Sequence, residues 1–285
     1  MVRRRTAVPL VLAALLGGLV VAVPQTSAAA VTPPVKVWVT TPDGTQRLSP
    51  ADPATFTPGG SDKLTITVDP SRSYQTMRGF GASITDSSAV VLSRLHPAAR
   101  TAAMTDLFSP TRGDGLSVLR QPMGASDFVA GDFYTYDDVP AGETDYAMED
   151  FTIAHDRPRI LPLLRQALAL DPDLTVVATP WSPPAWMKTN GSLIGGRLID
   201  TPAIYQAYAQ YFVKFVQGYR KAGVPVDAVT LQNEPQNRHP SAYPGTDLPT
   251  AQEEKLAAAV DTAFDAAGLD TLILGYDHNW SEHQG

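Results

Sequence analysis

From Tyr74 onward the sequence alternates short apolar runs with long amphipathic patterns, and this alternation constrains the fold more than any other feature. Five runs are predicted strands, at residues 79–83, 116–121, 174–179, 228–232 and 271–276. Strands that alternate with helices are typical of βα units around a parallel sheet. The predicted fold is therefore α/β, an incomplete (β/α)8 TIM barrel with about five of its strands present.

The helices between these strands have their own boundary signals. Asp86 is expected to cap a helix over 89–95. Thr201 precedes a proline and a long stripe of apolar and aromatic residues, which predicts a second helix with a buried face. A capping box from Thr250 to Glu253 is expected to open another helix.

The first 74 residues have a different texture. Residues 1–30 combine three arginines, an apolar segment and a run of small residues, which is the pattern of a secretory signal peptide. We expect cleavage near Ala29 or Ala30, a secreted product and no stable membrane anchor.

Residues 31–74 alternate apolar and polar side chains at 35–41 and 63–70, with turn formers between them. This pattern predicts the N-terminal β-strands of a side β-sandwich. Residues 75–285 are then assigned to the truncated barrel.

Composition excludes several classes of protein. The chain carries 29 acidic and 22 basic residues, a formal net charge of −7, which disfavours binding to nucleic acid. It has no cysteine, so disulfides, thiol nucleophiles and Cys-ligated metals are excluded. Five scattered histidines lack the spacing of a metal site. The oligomeric state is left open.

Each predicted strand runs into a polar or aromatic loop at its carboxyl end. A parallel barrel delivers all these loops to one face, so their side chains are expected to share a cleft. The candidates are Arg120, Asp127, Trp181, Trp186, Asn233, Glu234, Asp277 and His278. Carboxylates, a guanidinium and indole rings together suit a sugar, whose hydroxyls need charged hydrogen-bond partners.

Some of these residues have plainer interpretations. Arg120 could serve only as an ion-pair partner, and Trp186 could be packing in the wall. Asp277 and His278 are possible cleft-lining residues without an assigned role.

Asn233 and Glu234 place an amide and a carboxyl side by side where the fourth barrel strand ends. Pro235 keeps Glu234 out of the right-handed helical region and terminates the strand. Neighbouring residues of a regular strand point to opposite faces. If both side chains serve one sugar, the backbone is expected to twist or bulge at this point.

Four segments carry a family resemblance in the same order along the chain. They are QTMRGFGASITDSSA, LRQPMGASDF, ATPWSPPAWMKTNGSLIGG and LQNEPQN. They resemble glycoside hydrolase family 30, and most of all its glucosylceramidase and endo-β-1,6-glucanase branches. The resemblance implies a retaining β-glycosidase with a TIM barrel and an attached β-sandwich, acting on a β-glucoside or β-glucan without a cofactor.

The resemblance also implies roles for individual residues. Glu234 corresponds to the acid/base, and Asn233 to the residue that binds the sugar 2-hydroxyl. Asp127 and Trp181 correspond to residues that hold the sugar in the first subsite. Arg120 corresponds to an arginine that orients the carboxylates without contacting the sugar itself.

One member of the family pattern has no counterpart. The resemblance places the nucleophile on a glutamate at the end of the seventh strand, and none of the other glutamates here ends a barrel strand. We therefore expect these residues to be the front part of a longer enzyme, with the nucleophile roughly 60 to 100 residues beyond Gly285. The chain by itself is not expected to be active.

The substrate is left open. A glucosylceramidase-like activity is the leading hypothesis, with an endo-β-1,6-glucanase or a β-xylosidase of the same family as alternatives. A hypothesis of another class is a non-catalytic carbohydrate-binding fragment, and a third is an unfolded chain without function.

Overall fold

The computed structural model describes residues 34–56, 66–237, 242–279 and 281. The chain divides into two compact units between Tyr74 and Gln75. The predicted signal peptide lies outside the described residues. Among the helices within the described ranges, none has the length and apolar character needed to span a bilayer.

The first unit contains a two-stranded antiparallel sheet. Strand β1 (Val35–Val39) pairs with β2 (Ser49–Ala54), and this confirms the predicted strand at 35–41. The strand predicted over 63–70 is wrong for its described part, because residues 66–69 form no strand. Residues 63–65 lie outside the described residues. The sandwich to which these strands were assigned stays a prediction.

Strand β2 was not predicted because Pro50 and Pro53 interrupt it. Proline cannot donate to a sheet ladder, but an edge strand tolerates it. Among the described residues β2 pairs with β1 alone, so it lies at a sheet edge, where the prolines cost it little.

The second unit is built on an all-parallel sheet of five strands. Their order in the sheet follows their order in the chain. The strands are β3 (Gly81–Ala82), β4 (Val118–Met123), β5 (Thr175–Pro180), β6 (Ala228–Thr230) and β7 (Leu272–Leu274). A parallel sheet whose neighbours are consecutive is the arrangement of a (β/α)8 barrel wall, which confirms the predicted fold class.

Within the described residues, five helices connect these strands. They are α1 (Asp86–Arg94), α2 (Pro97–Phe108), α3 (Ile160–Leu170), α4 (Pro202–Lys221) and α5 (Thr250–Ala267). Two short 3₁₀ turns, Ala154–Asp156 and Ala185–Met187, lie in the loops after β4 and β5. The aromatic stripe of α4 is buried, as predicted, and supplies much of the core.

The cap predicted at Asp86 is wrong. Thr85 is the N-cap, and its hydroxyl accepts from the Ser88 N–H at 3.2 Å. The Asp86 carboxylate instead accepts from the Ala130 N–H at 2.8 Å and pairs with His155 at 3.0 Å. Asp86 therefore anchors the loop after β4. The Thr201 cap is confirmed, with its hydroxyl accepting from the Ile204 N–H.

The capping box predicted at Thr250 is also wrong. Thr250 is the first helical residue of α5, and no side chain caps the helix. The Glu253 carboxylate accepts instead from the Tyr276 N–H, at 2.8 Å, just beyond β7. Burial raises the pKa of Glu253, while the Tyr276 N–H lowers it. Glu253 thus supports the backbone that leads into Asp277.

Gly81 marks a close approach between two strands. A Cβ at this position would lie 1.5 Å from the carbonyl oxygen of Val118 on the neighbouring strand β4. Only glycine allows β3 and β4 to pair at this distance.

Candidate active site

Arg120, on β4, is the centre of a cluster at the carboxyl ends of the strands. Its Nη2 donates to Asn233 Oδ1 at 2.8 Å and to Asp277 Oδ2 at 2.6 Å. Its guanidinium also lies 4.8 Å from the centre of the Trp181 ring, within the range of a cation–π contact. These contacts join the ends of β4, β5, β6 and β7, and bring four of the predicted residues together.

Asp277 is a counter-ion that ties three strands together. Besides Arg120, its Oδ2 is within hydrogen-bond distance of the hydroxyls of Thr230, at 2.9 Å, and Thr179, at 3.3 Å. All three contacts converge on the single oxygen Oδ2. The shortest of these contacts is the ion pair with Arg120, which holds the guanidinium in place.

The Asn233 side-chain amide has a defined orientation. Because Oδ1 accepts from Arg120, the amide NH₂ points away from the guanidinium and is left to donate elsewhere. The backbone is held as well, since the Asn233 N–H donates to the Pro180 carbonyl at 2.8 Å. Buried Gln232 donates to the Asn233 and Trp181 carbonyls and joins the two strand ends.

Glu234 has a left-handed backbone, with φ of +47°. Its N–H donates to the Asp277 carbonyl at 2.8 Å, which fastens the end of β6 to that of β7. A left-handed residue other than glycine costs roughly 1 to 2 kcal/mol, and such strain collects at functional sites. This is the departure from regular strand geometry that Asn233 and Glu234 were expected to need.

Two asparagines donate to the Glu234 carboxyl group. Asn237 Nδ2 lies 3.0 Å from Oε2, and Asn279 Nδ2 lies 3.4 Å from Oε1. The two donors come from the loops after β6 and β7. Sequence reasoning missed both, although Asn237 belongs to the same LQNEPQN segment as Glu234.

Three predicted residues are not part of this cluster. Asp127 is exposed and makes no hydrogen bond or ion pair with the described residues. The Trp186 indole donates to Asp137 Oδ2 at 3.0 Å. His278 Nδ1 accepts from the Asn279 N–H at 2.7 Å, so its contact with the site is indirect.

Asp137, which supports Trp186, is a buried carboxyl group. Its Oδ1 has no hydrogen-bond partner among the described residues, and the side chain of Asp137 interacts with that of Asp145. Burial raises the pKa of Asp137 to about 6, and the negative charge of Asp145 adds to the effect. Burial also opposes ionisation of Asp145, but backbone N–H groups, first that of Asp150, hold its pKa below the usual range.

Lys188 joins the loops that follow β5 and β6. Its buried ammonium donates to Ser182 Oγ at 2.9 Å and to the carbonyls of Leu193, at 3.0 Å, and Gly245, at 2.7 Å. Burial lowers the pKa of Lys188 to about 7. The same two loops are bridged by the ion pair of Arg197 and Asp247, at 2.7 Å.

The described residues contain no group of three or more His, Asp or Glu side chains arranged to hold a metal ion. The groups at the strand ends are a carboxyl, an oriented amide, a guanidinium and an indole. Such a set is chemically suited to binding a hydroxylated ligand and to exchanging a proton with it.

Comparison with known proteins decides the family. Residues 77–255 match the model of the glycosyl hydrolase family 30 TIM-barrel domain. The chain belongs to glycosyl hydrolase family 30. It is 36% identical to the endo-1,6-β-D-glucanase of Neurospora crassa over 266 residues, which cover 90% of this chain and 54% of that protein.

Two further relatives of this family 30 chain are informative. The lysosomal acid glucosylceramidase of Mus musculus is 34% identical over 222 residues, covering 75% of this chain and 42% of that protein. A solved endo-β-1,6-glucanase superposes with a TM-score of 0.74 at 36% identity, covering 87% of this chain and 53% of that one. The chain thus spans about half the length of the curated relatives it matches.

Proposed function

We propose that the protein is a secreted retaining β-glycosidase that cleaves β-glucosidic bonds, with Glu234 as the acid/base. The observation that supports this most is the position of Glu234 at a strained strand end, directly after an amide whose orientation Arg120 sets. Glu234 gives a proton to the leaving oxygen and later takes one from water, as an acid/base in this reaction must.

Asn233 is assigned to the sugar 2-hydroxyl. With its oxygen held by Arg120, its free NH₂ donates to that hydroxyl. A bond to the 2-hydroxyl strengthens as positive charge develops on the sugar ring, so it lowers the barrier rather than only aiding binding. Arg120 therefore acts through Asn233, as a positioning residue.

Trp181 and Asp127 are assigned to the first sugar subsite. One face of the Trp181 ring is occupied by the Arg120 guanidinium. Its indole N–H makes no hydrogen bond with the described residues, and this leaves it for a sugar hydroxyl. The exposed carboxylate of Asp127 is equally free to accept from hydroxyls.

Retaining hydrolysis also needs a nucleophilic carboxylate about 5 to 5.5 Å from the acid/base. Asp277 is a poor candidate, because Arg120 and two threonine hydroxyls already surround its Oδ2. We therefore assign the nucleophile to a carboxylate outside the described residues.

As the substrate we propose a β-1,6-glucan. This choice is supported by the names of the fungal relative and of the solved structure with 36% identity. Export through the segment at 1–30 would bring the enzyme to such a polysaccharide. The glucosylceramidase alternative is supported by the mouse relative, at 34% identity.

The test is hydrolysis of β-1,6-glucan by the full-length enzyme that carries the nucleophile and by its Glu234→Gln variant. Losing the acid/base is expected to lower kcat by roughly 10²- to 10⁴-fold. With 2,4-dinitrophenyl β-glucoside, the rate of the first step, in which the leaving group departs, should fall much less, because that leaving group needs no proton. Glu254→Gln, which changes an exposed glutamate of α5, is the control.

Three results would refute parts of this proposal. Full activity of Glu234→Gln would remove Glu234 from its role, and an α-anomeric first product would exclude retention. Sugar binding without hydrolysis would favour the non-catalytic carbohydrate-binding alternative.

A further inference from the structure

Asn237 links Glu234 to a tyrosine on the next part of the same loop. Its single Nδ2 group donates to Glu234 Oε2 and to the Tyr243 hydroxyl, both at 3.0 Å. Its backbone N–H also donates to the Glu234 carbonyl at 2.8 Å and closes a turn. Both amide protons are therefore used, one on the carboxyl and one on the phenol.

The contact with Oε2 makes the two oxygens of Glu234 unequal. An N–H donor is best matched by an oxygen that carries no proton of its own. Asn279 Nδ2 also contacts Oε1, but at 3.4 Å, so the shorter contact from Asn237 favours Oε2 as the acceptor and Oε1 as the oxygen that carries the proton when Glu234 is protonated. The amide of Asn237 thereby selects the oxygen that delivers the proton.

The Tyr243 hydroxyl has a proton to give. It accepts from Asn237, and among the described residues it has no acceptor for its own O–H. Tyr243 is half-buried and is joined through Asn237 to the Glu234 carboxyl. A hydroxyl of the departing sugar is the acceptor that this position would meet.

The described segment that carries Tyr243 is held at two points beyond the tyrosine. The Leu248 N–H donates to the Pro235 carbonyl at 2.7 Å, next to Glu234. The Lys188 ammonium donates to the Gly245 carbonyl at 2.7 Å. The tyrosine is thus presented on a fixed segment, which keeps the ordering cost of binding low.

We propose that Asn237 and Tyr243 form a leaving-group subsite, in which Asn237 orients the Glu234 carboxyl and the Tyr243 hydroxyl donates to a hydroxyl of the departing pyranose. The inference rests on the proposed function, because it takes Glu234 as the acid. It adds a second sugar-binding position and two residues that determine preference for a disaccharide over a monosaccharide.

The test compares binding of glucose with binding of the sulfur-linked analogue of gentiobiose, which a glycosidase does not cleave. Calorimetry on the unmodified protein should show tighter binding of the disaccharide analogue. Tyr243→Phe removes one hydrogen bond, so the affinity for the analogue should fall about three- to tenfold while that for glucose is kept. Asn237→Ala should have a similar effect, and Gln236→Ala, in the same turn, is the control.

Several results would overturn this inference. They are equal affinities for the two sugars, no binding of either, or an unchanged ratio in Tyr243→Phe and Asn237→Ala. If the affinities for glucose and for the analogue both fell in Gln236→Ala, as in the other two variants, the effect would come from a disturbed loop and not from the Tyr243 hydroxyl. Hydrolysis of an aryl β-glucoside, which has no departing sugar, tests the proposed function separately.

Discussion

Replacing Asp137 by asparagine is expected to stabilise the protein at neutral pH and to leave its stability nearly unchanged in acid. The amide has almost the same shape as the carboxyl and keeps both of its contacts. Its oxygen accepts from the Trp186 indole, and its NH₂ donates to the carboxylate of Asp145. What disappears is the buried negative charge that Asp137 acquires on ionisation. The effect of the substitution therefore reports the cost of that charge.

The magnitude follows from the shift at Asp137. Burial raises its pKa from the ordinary 3.8 to about 6. The folded state thus binds the proton more tightly than the unfolded state, and stability falls as the pH rises from about 4 to 6. Above pH 6 the loss levels off at about 3 kcal/mol. Asp137→Asn does not titrate, so it avoids this loss.

Urea unfolding at pH 4 and pH 7.5 measures the effect through the extrapolated free energy of unfolding. The variant should be more stable than the unmodified protein at pH 7.5 by about 2 to 3 kcal/mol, with little difference at pH 4. Asp132→Asn, which removes an exposed carboxylate from the same loop, is the control. An advantage that is the same at both pH values, or a variant less stable at pH 7.5, would refute the reasoning.

Two further predictions concern packing and a buried cation. Gly81→Ala should lower the free energy of unfolding by more than about 3 kcal/mol, because the new Cβ would overlap the Val118 carbonyl. Gly131→Ala is the control: its Cβ would lie in open space, so the free energy of unfolding should change by less than about 0.5 kcal/mol. Because the pKa of Lys188 is lowered to about 7, its burial costs stability below pH 7, and this cost fades between pH 7 and 10. The free energy of unfolding of the unmodified protein should therefore rise over this pH range, and that of Lys188→Met should not. The same rise in the variant would contradict the assignment.

The arrangement of the barrel strands was predictable because it depends on local patterns. Apolar runs and amphipathic stripes each report burial of one face, and they recur in the order of βα units. Parallel topology then brings the strand ends to one face, so the contacts of Arg120 with Asn233, Asp277 and Trp181 are consistent with side chains far apart in sequence meeting in one cleft.

The errors come from choices that local sequence leaves undecided. Thr250 and Glu253 have the spacing of a capping box, but the Glu253 carboxylate satisfies the Tyr276 N–H from another strand end instead. Strand β2 contains two prolines that local rules count against it, and only its place at a sheet edge makes them acceptable.

The sequence by itself determined the α/β class, the order of the strands and the carboxyl group at the end of β6. Only the tertiary structure decided that Asn237 joins that carboxyl to Tyr243, and that the buried side chains of Asp137 and Asp145 interact. Patterns of burial depend on the local order of apolar and polar residues. Hydrogen bonds between side chains depend on distances of a few ångströms between loops, and these exist only once the strands have been brought together.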